Sequence, residues 1–186
     1  MVDFRVREAT KNDIADILEL IKGLAVYEKE ERSRVKITEE NLLRDGFGED
    51  PWFYCLLAEI FPKKNREVKT AIDKIEGNLA NLDDADCKVV GFALYMRVYS
   101  SWDGKAVRLG NLYVKEEYRN LGIGTSLLKK VTEVSLQMGC NRMEWHVLNW
   151  NERAINFYKA IGTYINPASR RCYFHLNEMK QLVKGS

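Results

Sequence analysis

Arg119-x-x-Gly122-x-Gly124 stands between an apolar run, Leu109 to Val114, and a stretch with helical periodicity. Glycines at a strand-to-helix junction let bare backbone approach a ligand, and a helix start offers unpaired N–H groups to phosphate. Arg119 adds a cation that can meet phosphate charge. The segment is therefore a candidate pyrophosphate cradle, and the chain a candidate user of a nucleotide-like cofactor. The pattern lacks the third glycine of the dinucleotide fingerprint, and no Gly-Lys-Ser/Thr follows as in a P-loop. A tight strand–helix turn with no ligand would use the same glycines.

Asn151 and Tyr158 form a second candidate group. Asn151 heads a helical pattern and is expected to cap it. Tyr158 lies two turns further along and offers either a phenolic proton or a core-packed ring with its hydroxyl satisfied. Tyr27 with Glu28, Glu30 and Glu31 places an aromatic ring beside carboxylates, a setting for a cationic amine. A solvated helix end has the same composition. Trp102, Trp145 and Trp150 are further candidates to line a cleft.

The elements that must position these residues follow from spacing. Phe4 to Arg7 reads as a first strand. Thr10-Lys-Asn-Asp13 is a capping box, followed by Ile14, Ile17, Leu18, Ile21, Leu24 and Ala25 at helical spacing. Thr38 caps a short helix with Leu42 and Leu43 that ends near Gly46. Trp52 to Ile60, Val89 to Tyr99, Val107 to Val114, Met143 to Leu148 and Arg170 to Leu176 have strand character. Leu127, Val131, Val134 and Met138 share a helix face that ends at Gly139. Ile155, Tyr158 and Ile161 share another that ends at Gly162. Residues 61–88 are polar and charged, and read as an exposed excursion. Strands and helices interleave, so the expected class is α/β, an α+β mixed sheet.

The 186 residues suit one domain, with 46% hydrophobic and 30% charged residues. A net charge of +2 gives no reason to expect nucleic acid or membrane as a partner. No apolar run reaches transmembrane length, and the N-terminal residues do not form a signal-peptide core. Cys55, Cys87, Cys140 and Cys172 form no CxxC pair, and the histidines are His146 and His175. No metal is expected, and free thiols in a reducing, cytoplasmic setting are.

The strand Leu112-Tyr-Val114, the loop Arg119-Asn-Leu-Gly-Ile-Gly124 with its helix, and Asn151-Glu-Arg-Ala-Ile-Asn-Phe-Tyr158 together resemble the GNAT acetyltransferase superfamily. The likeness is closer to its spermidine/spermine (diamine) acetyltransferase subfamily, the thialysine acetyltransferase branch included. Asp16-Ile-Leu-Glu-Leu-Ile-Lys22, Ala25-Val-Tyr-Glu28, Asp45-Gly-Phe-Gly48, Tyr54-Cys-Leu-Leu-Ala-Glu59 and Tyr99-Ser-Ser-Trp102 carry it further. It covers most of a single domain, residues 1–186, apart from 61–88, which looks like an insertion. The resemblance implies a twisted mixed sheet with acetyl-CoA wedged between two splayed strands. Leu112, Tyr113 and Val114 would hold the pantetheine arm. Arg119, Asn120, Leu121, Gly122, Ile123, Gly124 and Thr125 would hold the pyrophosphate. Asn151, Glu152, Arg153 and Ala154 would also touch the cofactor, and Tyr158 would reprotonate the leaving thiolate. A small amine would meet Tyr27, Glu28, Trp102, Gly110, Glu144, Trp145, His146, Arg170 and Arg171. The family usually forms homodimers.

The chain departs from that subfamily where the amine would lose its proton. The usual Leu-Glu-Asp reads Leu109-Gly110-Asn111, so the relaying glutamate is a glycine. Ser100 stands where polyamine-acetylating members carry Asp, and a C-terminal tryptophan is replaced around Arg170 and Arg171. A Lys-like amine has a pKa of about 10.4, and a missing general base costs about 10²- to 10⁴-fold. Three readings stay open. The substrate has a less basic amine, as thialysine does; Glu28 or a water chain is the base; or the protein is an acyl-CoA-binding regulatory protein with little turnover.

Overall fold

The computed structural model describes residues 3–61 and 87–184. The expected insertion at 61–88 thus lies, but for its ends, outside the described residues. The described chain forms two compact units, residues 1–146 and 147–186.

The first unit is a five-stranded mixed sheet in the order β1-β2-β3-β4-β5. Its strands are β1 (Phe4–Glu8), β2 (Tyr54–Ile60), β3 (Lys88–Ser100), β4 (Gly104–Val114) and β5 (Arg142–Glu144). The first four pair antiparallel, and β5 runs parallel to β4. A parallel neighbour needs a crossover, which α3 (Ile123–Gln137) supplies.

Before β2 come α1 (Ile14–Tyr27) and α2 (Glu39–Phe47). Local chemistry fixes both starts. Thr10 and Asp13 close a capping box ahead of α1, and Thr38 and Asn41 close one at α2. Ile14, Ile17, Leu18, Leu20 and Leu24 of α1, with Leu42 of α2, bury themselves against Cys55, Leu57, Val89 and Phe92. Removing that apolar area from water is the main force holding the helices to the sheet. Ile123, Leu127, Leu128 and Val131 of α3 are buried as well. Val134 and Met138, expected on that stripe, are only half-buried, and Ser135 is buried instead, its hydroxyl donating to the Val131 carbonyl at 2.7 Å. The helix ends in a Schellman motif, with Gly139 N–H donating to Leu136 O and Cys140 N–H to Ser135 O.

Ion pairs tie the sheet edge to α1. Arg7 donates to both Asp13 oxygens, at 2.8 and 2.7 Å, and to Glu59. Hydrogen bonds from the Arg7 guanidinium hold the Asp13 carboxyl down at about 2.

The second unit carries α4 (Glu152–Ala160) and α5 (Leu176–Lys184). Three expectations need correction. The strand expected at Met143 to Leu148 begins one residue earlier and stops at Glu144, where its pairing with β4 stops. The strand expected at Arg170 to Leu176 does not form: residues 170–175 are irregular and exposed. Aromatic alternation makes a strand only where a neighbour supplies hydrogen bonds, and no ladder involves this segment among the described residues. Leu176 instead opens α5, with Met179, Leu182 and Val183 at helical spacing. Finally, Ile161 lies past the end of α4 and is exposed.

Candidate functional site

Strand β4 has neighbours of unequal length. Its ladder with β3 runs from Gly104 to Val114, whereas its ladder with β5 covers only Ala106–Arg108 against Arg142–Glu144. On the β5 side, Leu109 to Val114 therefore have no strand partner among the described residues. Such an edge can accept an extended ligand as if it were another strand.

A β-bulge interrupts β4. Leu94 pairs with Asn111 and Tyr95 with Leu109, which leaves Gly110 as the extra residue. Bulges break the ladder locally and re-aim the chain, and they are common beside active sites. A Cβ at Gly110 would stand 3.0 Å from Met96 Cε, 3.3 Å from Leu94 Cδ2 and 3.4 Å from the Leu94 carbonyl oxygen. The nearest neighbours of such a Cβ are thus two apolar side chains and one carbonyl.

Beyond Val114 the chain makes the expected turn into α3. Gly122 is the N-cap with φ of +83°, a left-handed conformation that glycine adopts without strain. Asn120 is also left-handed, at φ +64°, which Asn tolerates better than most residues. The N-cap offers no side-chain hydrogen bond, and the first helical bond is Ser126 N–H to Gly122 O. The N–H groups of Ile123, Gly124 and Thr125 are thus the usual orphans of a helix start, with the positive end of the dipole behind them. A Cβ at Gly122 would meet nothing within 4 Å, and one at Gly124 only Val114 Cγ2, at 3.9 Å. The protein interior does not require these positions to be bare. Bare backbone there leaves open space at a helix start, which fits the pyrophosphate of a CoA thioester.

Arg119 links this loop to α1. Its Nε donates to Val114 O at 2.9 Å, and its guanidinium lies 4.3 Å from the Tyr27 ring centroid and 5.7 Å from that of Tyr113. The Tyr27 and Tyr113 rings are 6.4 Å apart. Burial raises the Tyr113 hydroxyl pKa, against the opposing pull of Arg119. The structure thus gathers Tyr27, Tyr113 and Arg119, with Glu28 the cap residue of α1.

The other end of β4 is built from charged side chains. Ser100 and Gly104 close the β3–β4 hairpin around the exposed Trp102, 91% accessible. Ser100 Oγ accepts from the N–H groups of Trp102 and Asp103 at 3.2 and 3.0 Å and donates to Asp103 Oδ2. Ser100 is buried and serves the turn. Arg142 Nη1 pairs with Asp103 at 2.6 Å, and its Nη2 with Glu144 Oε2 at 2.7 Å. Glu144 Oε1 accepts from Arg108 Nε at 2.9 Å and Nη2 at 2.6 Å. Arg108 first, then Arg142, holds the Glu144 carboxyl below its ordinary pKa. Trp145 and His146 follow directly on β5. Arg108, Arg142 and Met96 were not among the residues singled out from sequence. A separation of 36 positions between Arg108 and Glu144 leaves no local signal for their pairing.

In the second unit, Asn151 Oδ1 accepts from Ala154 N–H at 3.2 Å and caps α4, as expected. Glu152 and Arg153 are exposed on the first turn. Tyr158 is buried, at 7% exposure, with its ring 5.3 Å from that of Phe157. Burial pushes its hydroxyl up to about 12. Arg170 and Arg171 are exposed, and the Arg171 guanidinium lies 5.8 Å from the Tyr173 ring. Among the described residues no group of three or more His, Cys, Asp and Glu could hold a metal, and no helix is long and apolar enough to cross a membrane.

The family model "Acetyltransferase (GNAT) family" matches residues 42–163. The chain is 44% identical over 162 residues to a mouse thialysine N-epsilon-acetyltransferase, covering 87% of this chain and 85% of that one. It is 38% identical over 159 residues to a human spermidine/spermine N(1)-acetyltransferase-like protein 1, covering 86% of this chain and 20% of that longer one. Among solved structures, an integron cassette protein from the mobile metagenome of V. cholerae superposes with a TM-score of 0.67 at 20% identity, covering 98% of both chains. The ladder gap, the bare-backbone cradle and these matches agree: the chain belongs to the GNAT acetyltransferase family and is an N-acetyltransferase.

Proposed function

We propose that this enzyme transfers an acetyl group from acetyl-CoA to the primary amine of a small, thialysine-like substrate in preference to a polyamine. The open space at Gly122 and Gly124, beside the unpaired edge of β4, carries the cofactor half of that reading. Leu112, Tyr113 and Val114 would bind the pantetheine arm along the strand edge. Arg119 to Thr125 would bind the pyrophosphate, and Asn151 to Ala154 would add contacts from α4. Acetyl-CoA supplies an activated acyl thioester. Tyr27, Glu28, Trp102, Gly110, Glu144, Trp145, His146, Arg170 and Arg171 make up the acceptor side. The two units then act as one catalytic domain, 1–186. The same reading takes the enzyme as a cytoplasmic homodimer. Its free cysteines support a reducing compartment, and its family likeness supports the dimer.

The residues divide the work. The ammonium first gives a proton to water or a base. The neutral amine then attacks the carbonyl carbon, a C–N bond forms and the C–S bond breaks. Backbone N–H groups freed from the ladder at the bulge would stabilise the developing oxyanion. Tyr158 would give its proton to the departing thiolate and regain one from the acylated nitrogen. A thiol near 8.5 and a Tyr near 10 make that transfer slightly uphill at reference values. Burial raises Tyr158 to about 12, which by itself steepens it. Burial raises thiols too: Cys55 is pushed up to about 12. A thiol leaving into a dry site would be raised in the same direction, which offsets part of that slope.

Tyr158→Phe is expected to lower kcat by about 10²- to 10⁴-fold with acetyl-CoA affinity unchanged. Equal losses in both would remove the acid role. The wild-type pH profile adds a sign. A phenol titrating near 12 keeps its proton throughout the working range, so no alkaline fall in kcat should come from Tyr158 below about pH 11.

The apolar surroundings of Gly110 favour one competing reading, an acyl-CoA-binding regulator with little turnover. Release of CoA thiol, measured with thialysine, lysine, spermidine, spermine and short diamines, separates the two. Acetyl-CoA binding without release for any amine would leave the regulator.

A further inference from the structure

What lies against the bare Gly110 is Met96. It sits on β3 one residue past the bulge, paired with Arg108, and its Cε would be 3.0 Å from a Cβ at Gly110. A side chain at Gly110 would press on that methyl group, the free end of a flexible chain. Leu94, the other neighbour, packs on the core that α1 and α2 cover. Met96 and Leu94 are half-buried and Gly110 is exposed, so the thioether borders open space rather than sealed core.

We infer that Met96 is a specificity-determining residue that selects acceptors whose reacting amine is flanked by apolar or thioether groups, against polycations. This rests on the acetyltransfer reading above, with the acceptor at Gly110. An ammonium brought against an apolar wall loses solvation, which lowers its pKa and favours the neutral, nucleophilic form. The wall thereby takes over part of a base's task, most effectively for an amine of low intrinsic basicity. A second ammonium a few bonds away suffers the same desolvation with no carboxylate at position 96 or 110 to meet it. The polarizable Met side chain adapts to a CH₂–S–CH₂ chain and gives nothing to a cation.

A carboxylate at Gly110 would crowd Met96, Leu94 and the Leu94 carbonyl together, so position 96 is the cleaner place to add one. The test compares Met96→Leu, Met96→Gln and Met96→Glu on two acceptors, an aminoethyl thioether amino acid and a linear triamine. Two quantities are read: kcat/KM, and calorimetric affinity for the CoA-loaded enzyme. Wild type and Met96→Leu are expected to prefer the thioether amine. Met96→Glu should move the preference toward the triamine by about tenfold or more, the scale of one charge-assisted contact. Its ascending pH limb should also start higher, because a neighbouring carboxylate favours the ammonium form. Met96→Gln, of the same shape as Glu but uncharged, should shift the preference by less than about threefold. Acetyl-CoA affinity, unchanged in all variants, would report correct folding. A Met96→Glu preference within about twofold of wild type, in a protein that binds acetyl-CoA normally, overturns the inference. If no variant releases CoA thiol but the affinity preference switches, the acetyltransfer reading fails and the role of Met96 stands.

Discussion

On one side of Gly110, strand β4 works through its backbone; on the other, through charged side chains. From Leu112 into α3, the offered groups are strand-edge amides and helix-start N–H groups, exposed because Gly122 and Gly124 carry nothing in front of them. From Gly104 to Arg108 the strand joins a side-chain network of Asp103, Arg142, Glu144 and Arg108. A backbone-built site depends on chain path and on bare positions, so it stays serviceable while neighbouring side chains vary. A side-chain-built site changes character with each substitution. On the proposed reading, that contrast lets one chain keep its family's cofactor pattern while departing from it at the acceptor. The bulge at Gly110 is the boundary between the two.

The sharpest way to break the contrast is to fill the backbone-built end. Gly124→Leu has room for its Cβ, since Val114 Cγ2 at 3.9 Å is ordinary contact. Gly124 is already helical, so folding should survive and even gain helix propensity. The rest of the side chain would occupy the cradle. Acetyl-CoA affinity, measured by calorimetry, should fall at least about 100-fold, the loss of two or more charge-assisted contacts. Thermal stability should not fall. Unchanged affinity would mean that the helix start does not hold the pyrophosphate.

A smaller effect is expected where the two ends communicate. Arg119 is bonded to Val114 O and stacked near Tyr27 and Tyr113, so it joins the cradle to the end of α1. Arg119→Gln should weaken acetyl-CoA about 10- to 100-fold through loss of a charged donor. It should also raise the acceptor KM, because Tyr27 loses the cation stacked against it. Arg119→Lys should recover little of either, since an ammonium cannot reproduce a planar fork that bonds and stacks together. Full recovery by Lys would reduce Arg119 to a point charge and separate the two ends.

How much of this was legible in the sequence depends on the range of the interaction. Thr10 with Asp13 and Thr38 with Asn41 are contacts three residues apart, and both helix starts fell where spacing put them. Gly122 was legible as a bare position at a strand-to-helix junction, and its left-handed φ agrees with that place. The Asn151 cap and the burial of Tyr158 on its stripe were legible for the same local reasons. The bulge was not, because it comes from a mismatch between two strands: Gly110 is extra only relative to Leu94 and Tyr95. Met96 against Gly110 and Arg108 on Glu144 were hidden by the same distance in sequence. The strand expected at Arg170 to Leu176 failed for the converse reason. Its alternation is genuine, but pairing is a property of two segments, and a one-segment reading cannot supply the second.

The smallest expected effect lies in the side-chain-built end. Glu144 is held by Arg108 and Arg142, with both carboxylate oxygens occupied. On the proposed reading it would therefore reach a cationic acceptor through its field, not by offering a free oxygen. Glu144→Gln would take the counter-charge from Arg108 and leave Arg142 paired with Asp103 alone, beside the proposed acceptor. At a half-exposed site, solvent screening limits such a term to about 1 kcal/mol or less. The KM for a cationic amine should rise about two- to fivefold, with a drop in Tm of no more than about 4 °C and no change in acetyl-CoA affinity. The rise should shrink as salt is added, because the Debye length falls from about 10 Å at 0.1 M to about 3 Å at 1 M. A loss of 100-fold in kcat, insensitive to salt, would make Glu144 a proton-transfer group. The base missing at Gly110 would then have been replaced from β5, and the acceptor end would tolerate substitution no better than the cofactor end does.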